Sequence, residues 1–219
     1  GFLAIAFIIP ETHRNRQPLQ FSQIKINFST IIKHRLFMGA VILMGIVYSL
    51  LIVFNTLGPF LIQTGLGKTP VYFGHLALCM GIAFLIGTVT CRRLIKKRSP
   101  EKILSVAVPL LFIVALVGLC FGYVYSQNIW AIVIPTGLLF LGAGIVYPSS
   151  MGRGMALFRH LAGSGAAVMN LVNILTTRIT AFVMGFLNVD NMIPLAWVYV
   201  VLMLLSVIVF WFLVRHKEG

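Results

Sequence analysis

The fold is decided by an uninterrupted apolar stretch at positions 36–61, LFMGAVILMGIVYSLLIVFNTLGPFL, which contains no Asp, Glu, Lys or Arg. A helix needs about 20 apolar residues to cross the roughly 30 Å of hydrocarbon in a bilayer. Further runs of this kind lie at about 71–91, 103–125, 129–149, 161–187 and 193–214. Backbone groups in hydrocarbon must pair within a helix or a closed barrel, and no run alternates like a barrel strand. The pattern predicts an all-α membrane protein with a six-helix transmembrane bundle.

The composition of the whole chain excludes a soluble protein. Of the 219 residues, 59% are hydrophobic and 10% are charged, and the mean hydropathy is +1.01. Soluble domains carry about 25% charged residues, and disordered chains combine low hydrophobicity with high charge. Cys79, Cys91 and Cys120 stand alone in or beside apolar runs, so they predict neither a disulfide framework nor a metal site. Nucleotide-binding, zinc-protease and serine-hydrolase motifs are absent from the sequence, so we expect no enzyme activity and no cofactor.

The basic residues lie in alternate loops, and this sets the orientation of the spans. The numbers of Lys plus Arg are five in 10–35, one in 62–70, six in 92–102, none in 126–128, two in 150–160, none in 188–192 and two in 215–219. Loops rich in Lys and Arg stay in the cytoplasm. We therefore predict that both ends of the chain are cytoplasmic, and that the net charge of +13 reflects topology rather than nucleic-acid binding.

The first 35 residues are typical of a helix end followed by a loop. Positions 1–9 are apolar but too short to span a bilayer, and no basic segment marks them as a signal peptide. We expect them to end a truncated helix, followed by a cytoplasmic loop at 10–35, a transmembrane domain at 36–214 and a cytoplasmic tail at 215–219. The basic, partly amphipathic part of the loop fits either a tether on the anionic inner leaflet or a partner-binding segment.

Three motifs follow one another along these spans. They are GPFLIQ at 58–63 with the loop GLGKTPVYFG at 65–74, GTVTCRR at 87–93 with KKR at 96–98, and GAGIVYP at 142–148 with LAGSGAA at 161–167. In this order they resemble helices seven to eleven of multidrug exporters of the major facilitator superfamily, bicyclomycin/chloramphenicol-resistance (Bcr/CflA-type) subfamily. Pro10-Glu11-Thr12 resembles the end of that family's sixth helix. The basic loop resembles the weaker copy of the superfamily's cytoplasmic motif and lacks the acidic residue of the stronger copy, which lies between helices two and three. Gly165 stands where the family usually has Ala.

The resemblance covers nearly the whole chain and implies the C-terminal half of a twelve-helix transporter. It implies export of small, lipophilic, amphipathic compounds in exchange for protons across a bacterial inner membrane. In such transporters the substrate lies between the two halves, near the membrane midplane. The family carries its proton-binding acids in the N-terminal helices, and here every Asp and Glu lies outside the predicted spans. The expected partners are therefore the substrate, protons, the bilayer and an N-terminal half that this chain lacks.

Polar residues within the spans are the candidates for the wall of a substrate cavity. On the fifth span, Asn170, Asn173 and Thr177 share a stripe with Gly163 and Ala166, at about 100° per residue. Two asparagines facing lipid are costly, so the stripe faces either a cavity or a neighbouring helix to which it hydrogen-bonds.

Further candidates lie on the fifth and first spans. Arg178 is about 110° from the centre of the stripe, where it can either extend to the membrane surface or pair with an acid from the other half. On the first span, Tyr48, Phe54 and Asn55 combine aromatic faces with an amide, which suits lipophilic drugs and cations. Aromatic residues in membrane helices also serve in packing, and that interpretation stays open.

Two other functions remain open at this point. One is a major facilitator uptake carrier for a metabolite, which Arg178 would favour if it faced the cavity. The other is a non-transporting remnant or scaffold membrane protein. For Gly142 and Gly144 we expect close helix packing, and for Pro148 a bend, rather than ligand contact.

Overall fold

The computed structural model describes residues 21–125, 128–187 and 193–214, and this part of the chain is helical without a strand. The α-helices, in chain order, are α1 Phe21–Lys33, α2 Arg35–Pro59, α3 Pro70–Ile95, α4 Pro100–Val124, α5 Trp130–Leu157, α6 Ala162–Met184 and α7 Ile193–Val209. π-Helical turns at Phe60–Gly65 and Phe210–Val214 extend α2 and α7, and a 3-10 turn at Arg159–Leu161 precedes α6. Within the described residues, six of these helices are long and apolar enough to cross a membrane. The predicted six-helix all-α bundle is confirmed.

The helix ends explain why the predicted spans are accurate to within a few residues at most boundaries. Thr69 caps α3 by accepting a hydrogen bond from the backbone N–H of Tyr72, and Pro70 and Pro100 occupy first positions of helices. Proline suits this position because the first N–H groups of a helix have no acceptor within the helix, so the absence of an N–H costs nothing there. At the C-terminal end of α6, the backbone N–H of Gly185 donates hydrogen bonds to the carbonyls of Ala181 and Phe182.

The helix α5 differs from its predicted span at its C-terminal end. It continues to Leu157, eight residues beyond the predicted boundary at 149, so most of the predicted loop at 150–160 is helical. The extension contains Ser150, two glycines and Arg153, which lower its hydropathy, and Arg153 ties it to the end of the last helix by donating to the Val214 carbonyl. Hydropathy predicts where a helix leaves the hydrocarbon, but it does not predict how far the helix continues beyond that point.

The predicted loop at 10–35 contains the helix α1. Its Ile31 is fully buried against Phe37 of α2, Phe158 and Met169 of α6, so one face of the helix belongs to the core. The predictions for positions 1–9 and for the tail at 215–219 lie outside the described residues.

The membrane helices form two layers. In the first layer the order is α3, α5, α2, α6, and α4 and α7 pack behind α5 and α2. Helices α2 and α6 run in the same direction, because Gly45 lies against Thr176 and, one turn further along both, Ser49 lies against Thr180. This parallel packing is what the predicted alternation of spans requires for the first and fifth spans.

Helices α3 and α5 approach each other closely at two glycines. A Cβ atom on Gly144 would overlap the carbonyl oxygen of Phe84, and one on Gly87 would overlap that of Leu141. Close backbone contact at small residues is the usual way in which membrane helices associate. The predicted packing role of Gly144 is confirmed, and Gly142 likewise abuts the side chain of Leu111.

Burial differs strongly along the first layer. In the most apolar window of each helix, 67% of α2 is buried, against 17% of α3 and 22% of α6. The central helix is therefore enclosed by its neighbours, whereas the two helices at the ends of the layer are open on one side.

Candidate substrate-binding face

One surface of the first layer carries most of the predicted cavity residues, and we call it the front face. It is the surface of α3, α5, α2 and α6 that points away from α4 and α7. Gly39 of α2 lies against Leu213, which follows α7, and so marks the rear of α2. Tyr48 and Asn55 lie about 160–180° around the helix from Gly39, which places them on the front face.

The centre of the front face is a cluster of three aromatic side chains, Tyr48 of α2, Tyr147 of α5 and Phe84 of α3. The ring centroids of Tyr48 and Tyr147 are 5.5 Å apart, and those of Tyr147 and Phe84 are 6.4 Å apart. All three side chains are half-buried, so each keeps an accessible surface. Sequence reasoning identified Tyr48 but missed Tyr147 and Phe84. Tyr147 belongs to the motif GAGIVYP at 142–148, but residue spacing within one helix does not show which side chains of other helices it contacts.

Asn55 is the polar group of α2 on this face. It is exposed, and its Nδ2 donates to the Leu51 carbonyl of its own helix at 2.8 Å. Its Oδ1 takes no part in that bond.

The predicted polar stripe of α6 lies along one edge of the helix surface that packs on α2. Asn170 is exposed, whereas Asn173 and Thr177 are half-buried, and Thr177 Oγ1 donates to the Asn173 carbonyl at 2.9 Å. The opposite flank of α6, at Ile179 and Val183, forms a groove with α7. The stripe is therefore on the flank of α6 that belongs to the front face.

The hydrogen bond between α6 and α2 is made by residues beside the stripe. Thr180 Oγ1 donates to Ser49 Oγ at 3.0 Å, and both side chains are buried. Asn173 Oδ1 is buried but has no hydrogen-bond partner in the described part of the chain. The interhelical bond expected of the stripe is therefore supplied by Thr180, and the Asn173 acceptor is left unused.

Phe54 is placed differently from the other aromatic candidates. It is 1% exposed and packs between Phe73 of α3 and Phe140 of α5, with centroid distances of 5.5 and 5.7 Å. A side chain enclosed in this way has no surface for a ligand. We therefore leave Phe54 out of the proposed site.

Arg178 is exposed on α6 and makes no ion pair or hydrogen bond with any residue that the structure describes. Among the described residues of the membrane helices, the one carboxylate is Glu101, in the first turn of α4. It lies 3.6 Å from Arg153, behind the front face. The front face thus offers aromatic surface and neutral hydrogen-bonding groups.

Six apolar helices long enough to cross a membrane define a multi-pass membrane protein. The family model of the Major Facilitator Superfamily matches residues 1–181, and the chain belongs to this superfamily of membrane transporters. The search of curated proteins finds no relative that matches the chain.

Proposed function

We propose that this chain is the C-terminal half of a proton-coupled, Bcr/CflA-type multidrug exporter in a bacterial inner membrane, with both of its ends in the cytoplasm. The observation that carries the proposal is the front face, where the half-buried rings of Tyr48, Tyr147 and Phe84 lie together. The exposed amides of Asn55 on α2 and Asn170 on α6 add hydrogen-bonding groups. An apolar surface with few polar groups suits lipophilic compounds, and aromatic rings attract cations.

The exposure of α3 and α6 supports the idea of a second half. These are the least buried membrane helices, and they flank the front face on both sides. A second six-helix bundle placed against them would close the front face into a cavity between the halves. Rocking of one half against the other would then open that cavity to each side of the membrane in turn.

The distribution of acidic residues supports a proton step in the other half. Proton relays in membrane transporters use Asp, Glu or His within the spans. Glu101, the one carboxylate of the described membrane helices, lies behind the front face, which supports a coupling acid on the other side of the cavity.

The experiment is an accumulation assay for a fluorescent lipophilic cation in bacteria that lack their own exporters. The cells express the chain together with its N-terminal half, with and without a protonophore. We expect lower accumulation than in empty cells, and we expect the protonophore to abolish the difference. The variant Tyr147→Leu should raise accumulation, whereas Tyr123→Leu, on α4 behind the front face, should not. Unchanged accumulation across a broad panel of cations, despite membrane insertion, would contradict export.

Arg178 favours one other function, uptake of an anionic metabolite. The exposed guanidinium has no partner within the described residues, and a cation in a cavity attracts anions. Inward accumulation of an organic anion that is lost in Arg178→Gln, with no effect on lipophilic cations, would establish uptake in place of export.

A further inference from the structure

Behind the front face, α4, α5 and α7 enclose a small crevice. It is lined largely by small side chains, among them Ala115, Gly118, Gly122, Ala131 and Ala196. The crevice has about 20 Å³ of room for the centre of a water molecule. A buried water needs roughly 10–15 Å³ on that measure, together with polar groups to bind it. The crevice is therefore large enough for one water.

Two buried hydroxyl groups line this crevice. Tyr199 of α7 is 4% exposed and Thr136 of α5 is 1% exposed. The two side chains lie near enough to interact, but Tyr199 Oη has no hydrogen-bond partner within the described residues. A buried hydroxyl without a regular hydrogen bond costs free energy, and a water molecule that bonds to two neighbouring polar groups removes that cost.

A third polar group comes from the backbone of α5. Pro135 lines the crevice, and it has no N–H to donate to the carbonyl of Ala131, which lies four residues earlier. In membrane helices, carbonyls freed by proline are satisfied by side chains, neighbouring helices or ordered water. Ala131, Thr136 and Tyr199 thus bring a carbonyl that lacks its usual helical donor and two hydroxyls to one crevice.

We propose that this crevice binds one structural water that bridges Tyr199 Oη, Thr136 Oγ1 and the carbonyl of Ala131. Tyr199 lies six residues into α7, about 9 Å along its axis. Trp130 and Trp197 are exposed at the same end of the bundle, and such residues mark the membrane–water interface. Water therefore reaches the crevice from the headgroup region. The bridge ties α5 to α7 at the proline, on the opposite side of the bundle from the substrate face.

The test is a thermal double-mutant cycle on the protein purified in detergent. Tyr199→Phe and Thr136→Val should each lower the unfolding midpoint by about 2–4 °C, because each removes a ligand of the same water. The double variant should lower it no further than the larger single change. Combining Tyr199→Phe with Thr90→Val, on distant α3, should give additive shifts. Additive shifts for Tyr199 and Thr136, or no shift in either single variant, would overturn the proposal.

A density map of the protein in lipid discs gives an independent readout. We expect a density peak within about 2.7–3.2 Å of both hydroxyl oxygens. A direct contact between the Tyr199 and Thr136 hydroxyls, or a crevice filled by a side chain, would show that no water is bound there.

Discussion

Thr180 of α6 donates a hydrogen bond to Ser49 of α2, and its 3.0 Å length fixes how the two parallel helices meet. Ser49 Oγ in turn donates to the Gly45 carbonyl, one turn earlier in α2. At that level Gly45 faces Thr176, where a Cβ on the glycine would lie 2.8 Å from Thr176 Oγ1. The contact between α2 and α6 thus combines close backbone approach with a short chain of hydroxyl hydrogen bonds, which leaves the adjacent asparagine stripe free.

We predict that Thr180→Val destabilises the bundle by about 0.6 kcal/mol, the average for an interhelical hydrogen bond in a membrane. The effect is modest because Ser49 keeps its own bond to the Gly45 carbonyl. Thermal unfolding in detergent measures it. Thr90→Val is the matched control, because half-buried Thr90 donates only to the Ile86 carbonyl of its own helix. Equal losses in the two variants would show that the bond between helices contributes nothing.

Two glycines of α5 should respond differently to substitution by alanine, one with a loss of stability and the other without. Gly144→Ala places a Cβ against the backbone carbonyl of Phe84, which cannot move without separating α3 from α5. We expect the free energy of unfolding to fall by about 1–3 kcal/mol, as at other overpacked sites. Gly152→Ala meets nothing within 4 Å, so it should be neutral or stabilise by up to about 1 kcal/mol through the better helix propensity of alanine. Thermal unfolding of both variants decides the matter, and similar losses in the two would refute the close contact.

Arg153 is predicted to hold the end of the last helix in place. Its guanidinium donates to the Val214 carbonyl at 2.8 Å and lies 3.6 Å from Glu101. Arg153→Ala should lower the free energy of unfolding by about 2 kcal/mol, the typical contribution of a hydrogen bond from a charged group. Glu101→Gln should cost less than about 1 kcal/mol, because that carboxylate is half-exposed to solvent. Unfolding midpoints at low and high salt test the ranking, and a larger loss in Glu101→Gln would reverse our assignment.

The outer face of α1 is predicted to lie on anionic lipid. Lys25, Ile26, Ile32 and Lys33 are exposed there, opposite the buried Ile31. Apolar side chains beside lysines suit the headgroup boundary, where each lysine contributes about 1 kcal/mol on an anionic surface. An environment-sensitive fluorophore on Ile26→Cys, in a background without other cysteines, should shift to shorter wavelength in anionic vesicles. Lys25→Gln with Lys33→Gln should reduce that shift. The same spectrum in anionic and zwitterionic vesicles would contradict the placement.

Much of this fold follows from the sequence because the bilayer imposes strong constraints. Six apolar runs of sufficient length predict six helices, and small residues such as Gly144 predict where helices touch. The extension of α5 to Leu157 was missed because hydropathy measures contact with hydrocarbon rather than helix length. The helix α1 was missed because its stability comes from packing Ile31 into a core built by distant segments.

The candidate site could be predicted only in part. The stripe of Asn170, Asn173 and Thr177 follows from helical periodicity within one element. Whether an aromatic residue faces a cavity or a neighbour depends on other helices, and periodicity carries no information about them. Phe54 and Tyr48 therefore look equivalent in the sequence, although one is enclosed and the other is half-buried against Tyr147.

The central claim is that the front face lines a water-filled cavity that binds the exported compound. The most direct test measures the reaction rate of a water-soluble maleimide with Asn173→Cys, in a background with the three native cysteines replaced by serine. Leu116→Cys, exposed on α4 behind the front face, is the control. We predict that Asn173→Cys reacts faster than the control, because maleimides need a hydrated thiolate, and that a transported cation slows it. Reaction no faster than that of Leu116→Cys would contradict the account.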